Sequence, residues 1–132
     1  ITKKNPLKAQ SKTPISKKIK DCKKIIGLNS FIKAKFYENI IKSNKTIDLI
    51  NYLKKNKNIE IFFLMGADNL INFHKWHKSK LISQKCNIIV FDRHGYKKNS
   101  LKSKTFKRLN NKTLTFVEFK KVNISSSQLR KI

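Results

Sequence analysis

Residues 59–77 read IEIFFLMGADNLINFHKWH, and an apolar run at 59–65 stops at a glycine that is soon followed by a carboxylate. The run is short, rich in Ile and Phe and apolar almost throughout, which is typical of a strand buried on both faces of a parallel sheet. The segment 68–85 has helical patterning, and 86–92 repeats the strand pattern. Strand, helix and strand in this order predict a βαβ unit.

The rest of the chain supplies further elements of the same two kinds. Apolar residues at helical spacing predict helices over 15–26 and 47–57. Alternation of apolar residues with lysines predicts an edge strand at 31–38. A further strand is predicted at 114–119, and a helix is predicted to begin at the serines after Asn123. Alternating β and α elements indicate an α/β class fold, a Rossmann-like doubly wound parallel sheet with three α/β/α layers.

The strongly basic composition allows two interpretations. The chain has 32 Lys and Arg against 7 Asp and Glu, a net charge of +25, which suggests a polyanion such as nucleic acid. The excess is mostly Lys, accompanied by much Asn and Ile, and it is scattered through every segment, including a predicted long loop at 94–112. Aromatic residues do not alternate with Arg as a stacking platform requires. A solvated surface with biased composition is therefore favoured, and nucleic acid is not expected as a partner.

Length and cysteine content limit the remaining classes. The 132 residues predict a single domain spanning 1–132. Cys22 and Cys86 form no CxxC motif, and no apolar segment suits a signal peptide or a membrane span, so a reducing cytoplasm and no membrane partner are expected. His74 and His77 have no third ligand at a useful spacing, so no metal site is predicted.

The ends of the predicted strands carry the candidate site, because ligands of open parallel sheets bind outside the carboxyl ends of the strands. Gly66 would let a ligand approach the backbone, and Asp68 could accept hydrogen bonds from ribose hydroxyls. Arg93 follows the next strand and presents a guanidinium. The serines at 125–127, with Arg130 one turn further, would form an anion site. Together these residues predict a nucleotide pocket.

Each of these residues also has a structural explanation. Gly66 could serve only a tight turn, and Asp68 could only cap the following helix. Trp76 could be a core residue, Arg93 a surface ion-pair partner, and the serine run a plain helix cap. The functional interpretation depends on all of them falling at one edge of the sheet.

Three blocks carry a family resemblance. GADNLINFHKW, FDRHGY and ISSSQLR, in that order, resemble conserved blocks of the bacterial nicotinate-nucleotide adenylyltransferases, also called nicotinate mononucleotide adenylyltransferases, within the HxGH nucleotidyltransferase superfamily. NPLK near the start and NKTIDLINYL resemble two further blocks, so the resemblance extends from Thr2 to Arg130. The first block is the most specific, because it joins GxD to a helix that ends in F-x-x-W.

The resemblance implies an enzyme of NAD biosynthesis that uses ATP and nicotinate mononucleotide as substrates, with Mg²⁺ on the phosphates. The mononucleotide phosphate would attack the α-phosphorus of ATP and give nicotinate adenine dinucleotide and pyrophosphate. The implied roles are phosphate contact for Lys8, nicotinate binding for Thr46, ribose binding for Gly66 and Asp68, pyridine stacking for Trp76, contact with the nicotinate-side ligand for Arg93, and ATP phosphate binding for Ser126 and Arg130.

The sequence departs from the family pattern in several places. No HxGH motif occurs, so no catalytic residue is assigned in this chain. The chain is expected to lack the family's first βα unit, to be incomplete at both ends and to be inactive by itself. Lys45, Leu49, His94 and Ser127 stand where the family usually has an aromatic residue, Thr, Pro and Thr. Alternatives are another transferase of the superfamily, acting on pantetheine phosphate or a cytidyl alcohol, and a basic nucleic-acid-binding domain. A homo-oligomer is left open.

Overall fold

Residues 1–3, 13–55 and 57–120 are described by the structure, a computed structural model. The chain divides into two units, Ile1–Lys57 and Asn58–Ile132. The single-domain prediction is not tested by this division and stays a prediction. The helix predicted after Asn123 lies outside the described residues. Within the described residues, no helix is long and apolar enough to cross a bilayer.

Three helices occur in the described part of the first unit: α1 (Ile15–Ile26), α2 (Glu38–Ile41) and α3 (Thr46–Lys54). The first and third confirm the predicted helices, although α3 ends three residues before position 57. Helix α3 buries Ile47 and Ile50 on one stripe, as its spacing predicts. Gly27 ends α1 in the left-handed region, with φ 57°, and donates its N–H to the carbonyl of Lys23.

The edge strand predicted at 31–38 is absent. Ala34 and Phe36 are half-buried and alternate with exposed lysines, as predicted, but Ile32 at the start of the segment is 54% exposed. The backbone nevertheless forms no ladder with any strand of the described residues. The Asn29 carboxamide oxygen accepts the N–H groups of Phe31 and Ile32, at 2.9 and 3.1 Å, which a sheet partner would otherwise bind. A local turn therefore replaces sheet pairing at the start of this segment.

The described part of the second unit contains a three-stranded sheet of order β1–β2–β3, in which all strands are parallel. Its elements are β1 (Phe62–Gly66), α4 (Ala67–Asn72), a 3-10 turn (Phe73–Lys75), α5 (Ser79–Lys85), β2 (Asn87–Phe91), α6 (Lys97–Leu101), α7 (Lys104–Leu109) and β3 (Leu114–Val117). The βαβ unit and the parallel sheet are confirmed.

The two faces of the sheet differ in burial. Helices α4 and α5 contact the strands, and the side chains of Met65, Ile88 and Val90 are buried on that face. On the opposite face Phe62 and Leu64 are 54% and 58% exposed. The prediction that this strand is buried on both faces is therefore wrong, because β1 packs through the face that carries Met65 while the face that carries Phe62 and Leu64 stays exposed.

The helix predicted over 68–85 is broken near its middle. Helix α4 and the 3-10 turn end at Trp76, whose ψ of 144° is extended, and Lys78 adopts a left-handed conformation before α5 begins. A left-handed lysine costs about 1–2 kcal/mol. Packing of the indole against the rings of Phe63 and Phe73 offsets this cost, so tertiary contacts override the local helical pattern.

The segment 94–112 is not a long loop, because it contains α6 and α7. Ser100 and Thr105 are fully buried and Leu109 nearly so, which turns one side of both helices toward the core. Ser103 caps α7, and its hydroxyl accepts the N–H of Phe106 at 3.1 Å. These two helices have five and six residues, too few apolar positions to show a helical period among the lysines. The segment therefore resembled a polar loop in sequence.

The cap of α7 gives a first test of this local structure. Ser103→Ala should lower the free energy of unfolding by about 1 kcal/mol, because it removes an N-cap acceptor. Ser103→Asp should recover most of the loss, since a carboxylate accepts the same N–H and suits the helix dipole. Urea denaturation followed by circular dichroism measures both. Equal stability of the serine and alanine proteins would contradict the cap.

Candidate functional site

The carboxyl edge of the sheet brings together three of the predicted site residues. Gly66 is the last residue of β1, Asp68 lies in the first turn of α4, and Arg93 follows β2 by two residues. Strands β1 and β2 are adjacent and parallel, with Gly66 opposite Phe91, so their ends coincide. The prediction that these positions share one edge of the sheet is confirmed for this part of the site.

Asp68 and Arg93 form an ion pair at this edge. Arg93 Nη1 donates to Asp68 Oδ2 at 2.7 Å, and the side chains are 41% and 14% exposed respectively. The structure thus shows Arg93 in an ion pair, which is the structural explanation offered for it above. A guanidinium has five N–H donors and a carboxylate oxygen accepts more than one hydrogen bond, so both groups keep capacity for a ligand. The pair fixes a carboxylate and a cation side by side.

Gly66 is required by the position of the Asp68 carboxylate. The backbone of Gly66 has φ −80°, which any residue adopts. A Cβ at position 66 would lie 2.6 Å from Asp68 Oδ1, closer than real Cβ contacts allow. The absence of a side chain at Gly66 therefore leaves room for the Asp68 carboxylate beside the end of β1. The sequence analysis had expected this room to serve a ligand.

Gly66→Ala should move the Asp68 carboxylate away from Arg93 without straining the backbone. We expect activity of the complete protein to fall roughly tenfold, the loss of about one charge-assisted hydrogen bond. In an Asp68→Ala background the same substitution should have little further effect, because the clashing oxygen is gone. Steady-state kinetics of the four proteins measure the coupling, and additive losses would contradict the contact.

Arg93 also contacts the face of an aromatic ring, that of Tyr96. The guanidinium carbon lies 5.6 Å from the centre of the Tyr96 ring, a cation–π distance. The backbone N–H of Arg93 donates to the buried carboxylate of Asp92 at 2.7 Å. Gly95, with φ 79°, turns the chain between the two side chains. Sequence reasoning missed this role of Tyr96, for which the spacing Arg-x-Gly-Tyr was the available signal.

Trp76 packs in an aromatic cluster on the helix-covered face of the sheet. Its ring centre lies 5.9 Å from that of Phe63 and 5.3 Å from that of Phe73, at interplanar angles of 79° and 51°. Its indole N–H is buried without a hydrogen-bond partner among the described residues. The tryptophan is thus half-buried and packs against the buried ring of Phe73, as a structural role requires. Neither neighbouring ring lies parallel to the indole, and its stacking on a ligand stays a prediction.

The other predicted site residues belong to the first unit or lie outside the described residues. Thr46 is the first residue of α3 and half-buried in the first unit. Lys8, Ser126 and Arg130 lie outside the described residues. His74 and His77 are exposed. In the described ranges, no three residues among His, Cys, Asp and Glu are gathered in a group that could hold a metal ion.

A second ion pair joins the start of α6 to the chain after β3. Lys97 Nζ lies 2.7 Å from Glu118 Oε2. The hydrogen bond to Glu118 raises the pKa of the Lys97 ammonium above its ordinary value of 10.5, desolvation opposes this, and the negative charges of Glu118 and Asp92 raise the pKa further. Lys97 therefore carries its charge at physiological pH, and Glu118 neutralises it.

Comparison with known proteins adds independent information. The sequence model of the cytidylyltransferase-like family matches residues 1–132. A probable nicotinate-nucleotide adenylyltransferase of Pelagibacter ubique is 66% identical over 132 residues, which cover 100% of this chain and 73% of that protein. Another, from Clostridium perfringens, is 31% identical over 112 residues, 82% of this chain and 55% of that protein. The chain thus spans only part of each relative's length.

A solved structure with the same architecture is the nicotinic acid mononucleotide adenylyltransferase of Plasmodium falciparum, complexed with NaAD. The TM-score is 0.73 at 22% sequence identity, and the match covers 99% of this chain and 65% of that chain. At this identity the likeness concerns the fold alone. It confirms the predicted Rossmann-like α/β fold.

Proposed function

The chain belongs to the cytidylyltransferase-like family and, within it, to the nicotinate-nucleotide adenylyltransferases, and we propose that its protein transfers the adenylyl group of ATP to nicotinate mononucleotide. The products would be nicotinate adenine dinucleotide and pyrophosphate. The structural observation that supports this proposal most strongly is the Asp68–Arg93 pair folded over Gly66 at the carboxyl edge of a parallel sheet. Nucleotides bind at that edge in folds of this class.

The proposed reaction needs no nucleophile from the protein. A phosphate oxygen of nicotinate mononucleotide forms a bond to the α-phosphorus of ATP, and the bond from that phosphorus to the bridging oxygen of the β-phosphate breaks, so pyrophosphate leaves with the electron pair. Catalysis then consists of positioning the two substrates and neutralising negative charge in the transition state. Mg²⁺ is proposed to arrive with ATP, bound by phosphate oxygens as this ion prefers.

The roles proposed for Asp68 and Arg93 draw on their observed ion pair, and those proposed for Trp76 and Thr46 come from the family resemblance. Asp68 would accept a hydrogen bond from a ribose hydroxyl through Oδ2, the oxygen beside the guanidinium, while the hydrogen bond from Arg93 holds the carboxylate in place. The exposed part of Arg93 would face the nicotinate-side ligand. Trp76 would stack on the pyridine ring, and Thr46 would contact the nicotinate. The roles of Lys8, Ser126 and Arg130 on phosphates rest on the family resemblance alone.

Tryptophan fluorescence offers a direct test of substrate class, since Trp76 is the chain's only tryptophan. Titration of the protein expressed from its complete gene with nicotinate mononucleotide should quench the Trp76 emission in a saturable way, because a stacked pyridine ring quenches indole. Phosphopantetheine should leave the emission unchanged. A Trp76→Phe protein controls for emission from elsewhere. Quenching by phosphopantetheine but not by the mononucleotide would overturn the proposal in favour of the rival transferase.

A further inference from the structure

The helical hairpin formed by α6 and α7 is rich in exposed cations and has no acidic residue. Its exposed cations are Lys98, Lys102, Lys104, Lys107 and Arg108, and no Asp or Glu occurs between positions 97 and 109. The opposite side of the hairpin buries Ser100, Thr105 and Leu109. We call the exposed surface of the two helices that carries these five cations the basic hairpin face.

Carboxylates in the described part of the chain do not neutralise the charges of the basic hairpin face. Within the described residues, Lys97 is the hairpin cation that forms an ion pair, with Glu118, and the five cations of the basic hairpin face form none. Fold stability does not account for such a cluster, because like charges held close together repel one another. The cluster is therefore available to an anion from solution.

The basic hairpin face borders the Asp68–Arg93 pair. Helix α6 begins one residue after Tyr96, whose ring supports the Arg93 guanidinium. Helices α6 and α7 both pack against α4, whose first turn carries Asp68. The helices that carry these cations therefore adjoin the elements that hold Asp68 and Arg93 in the second unit.

We propose that the basic hairpin face is an electrostatic approach surface that concentrates phosphate-bearing substrates at the carboxyl edge of the sheet. This inference rests on the proposed function, whose two substrates are both anions. A surface lined by charges of one sign raises the local concentration and the association rate of ligands of opposite sign, by about 10- to 1000-fold for strong fields. The Debye length of about 10 Å at 0.1 M salt confines the effect to ligands near the face.

A charge-reversal variant tests the proposal. Lys98→Glu combined with Lys102→Glu places two negative charges on exposed positions nearest to Tyr96. In the full-length protein at about 20 mM salt, kcat/KM for nicotinate mononucleotide should fall roughly three- to tenfold with kcat nearly unchanged. At about 300 mM salt the two proteins should differ less than twofold, because screening removes the field.

The matched control is Lys85→Glu combined with Lys112→Glu, which makes the same change in net charge within the same unit. Lys85 and Lys112 each precede a strand by two residues, so they lie at the amino edge of the parallel sheet, away from the pair. Their reversal should change kcat/KM less than twofold at either salt concentration. A small effect in both variants would overturn the proposal, as would equal, large losses in both, which would indicate net charge rather than this face.

Two further outcomes are distinguishable. If the unmodified protein has no activity on nicotinate mononucleotide, the proposed function fails, and the approach surface fails with it. If the variant keeps its kinetics but loses salt-dependent binding of a labelled RNA oligonucleotide, the face serves nucleic acid and the proposal is wrong. Circular dichroism of each variant should match that of the unmodified protein, because all four substituted positions are on the surface or at its border.

Discussion

Asp68→Asn should lower kcat/KM for nicotinate mononucleotide by roughly 10- to 150-fold. The substitution removes a charge-assisted bond to Arg93 and weakens the proposed acceptor for a ribose hydroxyl, and a hydrogen bond to a charged group contributes about 1.5–3 kcal/mol. The Asp68 side chain is only 14% exposed, so water has little access to replace a hydrogen bond that the substitution weakens. The asparagine side chain has the same shape, which separates the loss of charge from the loss of packing.

Glu118→Gln provides the matched control for Asp68→Asn. Glu118 also forms an ion pair at 2.7 Å, with Lys97, but its side chain is 61% exposed. Exposed pairs contribute little, so its removal should change kcat/KM less than twofold. If both variants lost the same amount of activity, the ion pairs at this edge would affect activity by stabilising the fold and not by binding substrate. An Asp68→Asn protein with nearly full activity would remove Asp68 from the site.

Trp76→Ala should weaken nicotinate mononucleotide far more than ATP. Stacking on an aromatic ring contributes about 1–3 kcal/mol per base, which corresponds to a roughly 5- to 150-fold higher Kd for the pyridine nucleotide. The Kd for ATP should change less than about twofold. The same substitution should lower the free energy of unfolding by about 3 kcal/mol, because the indole packs on Phe63 and Phe73. Calorimetric titration and urea denaturation measure the two effects separately.

Phe73→Leu separates packing from ligand binding at Trp76. Phe73 is fully buried and contacts the indole, so its replacement disturbs the same aromatic cluster without removing the tryptophan. We expect a loss of stability of the order of 1–3 kcal/mol with both Kd values nearly unchanged. If Trp76→Ala weakens both nucleotides equally, as a packing defect would, the ring has a structural role only.

Most of the regular structure could be predicted from apolar periodicity. The strands at 59–65 and 86–92 have enough Ile and Phe to be recognised, and their parallel pairing follows from the helical segment between them. The predictions failed where a few specific contacts decide the backbone. The side chain of Asn29 accepts the N–H groups of Phe31 and Ile32 where a strand was predicted to begin, and the helix predicted over 68–85 is broken at Trp76.

The sequence predicts which site residues lie together at the carboxyl edge of the sheet, but not how their side chains contact one another. Gly66, Asp68 and Arg93 were expected together because parallel strands end at one edge, and the structure places them there. The close approach of the Asp68 carboxylate to Gly66 and the Tyr96 ring below Arg93 depend on side-chain conformations that no spacing rule supplies. The basic hairpin face could not be predicted from the sequence either, because α6 and α7 were not predicted as helices and the exposure of their lysines is known only from the structure.

The most direct measurement compares acceptors in one assay. The protein expressed from its complete gene would be supplied with ATP and Mg²⁺, and either nicotinate mononucleotide or phosphopantetheine, while pyrophosphate release and dinucleotide formation are followed together. We expect equal amounts of pyrophosphate and nicotinate adenine dinucleotide with the first acceptor and neither product with the second. Pyrophosphate released with phosphopantetheine, or no dinucleotide formed from nicotinate mononucleotide, would contradict the proposed function.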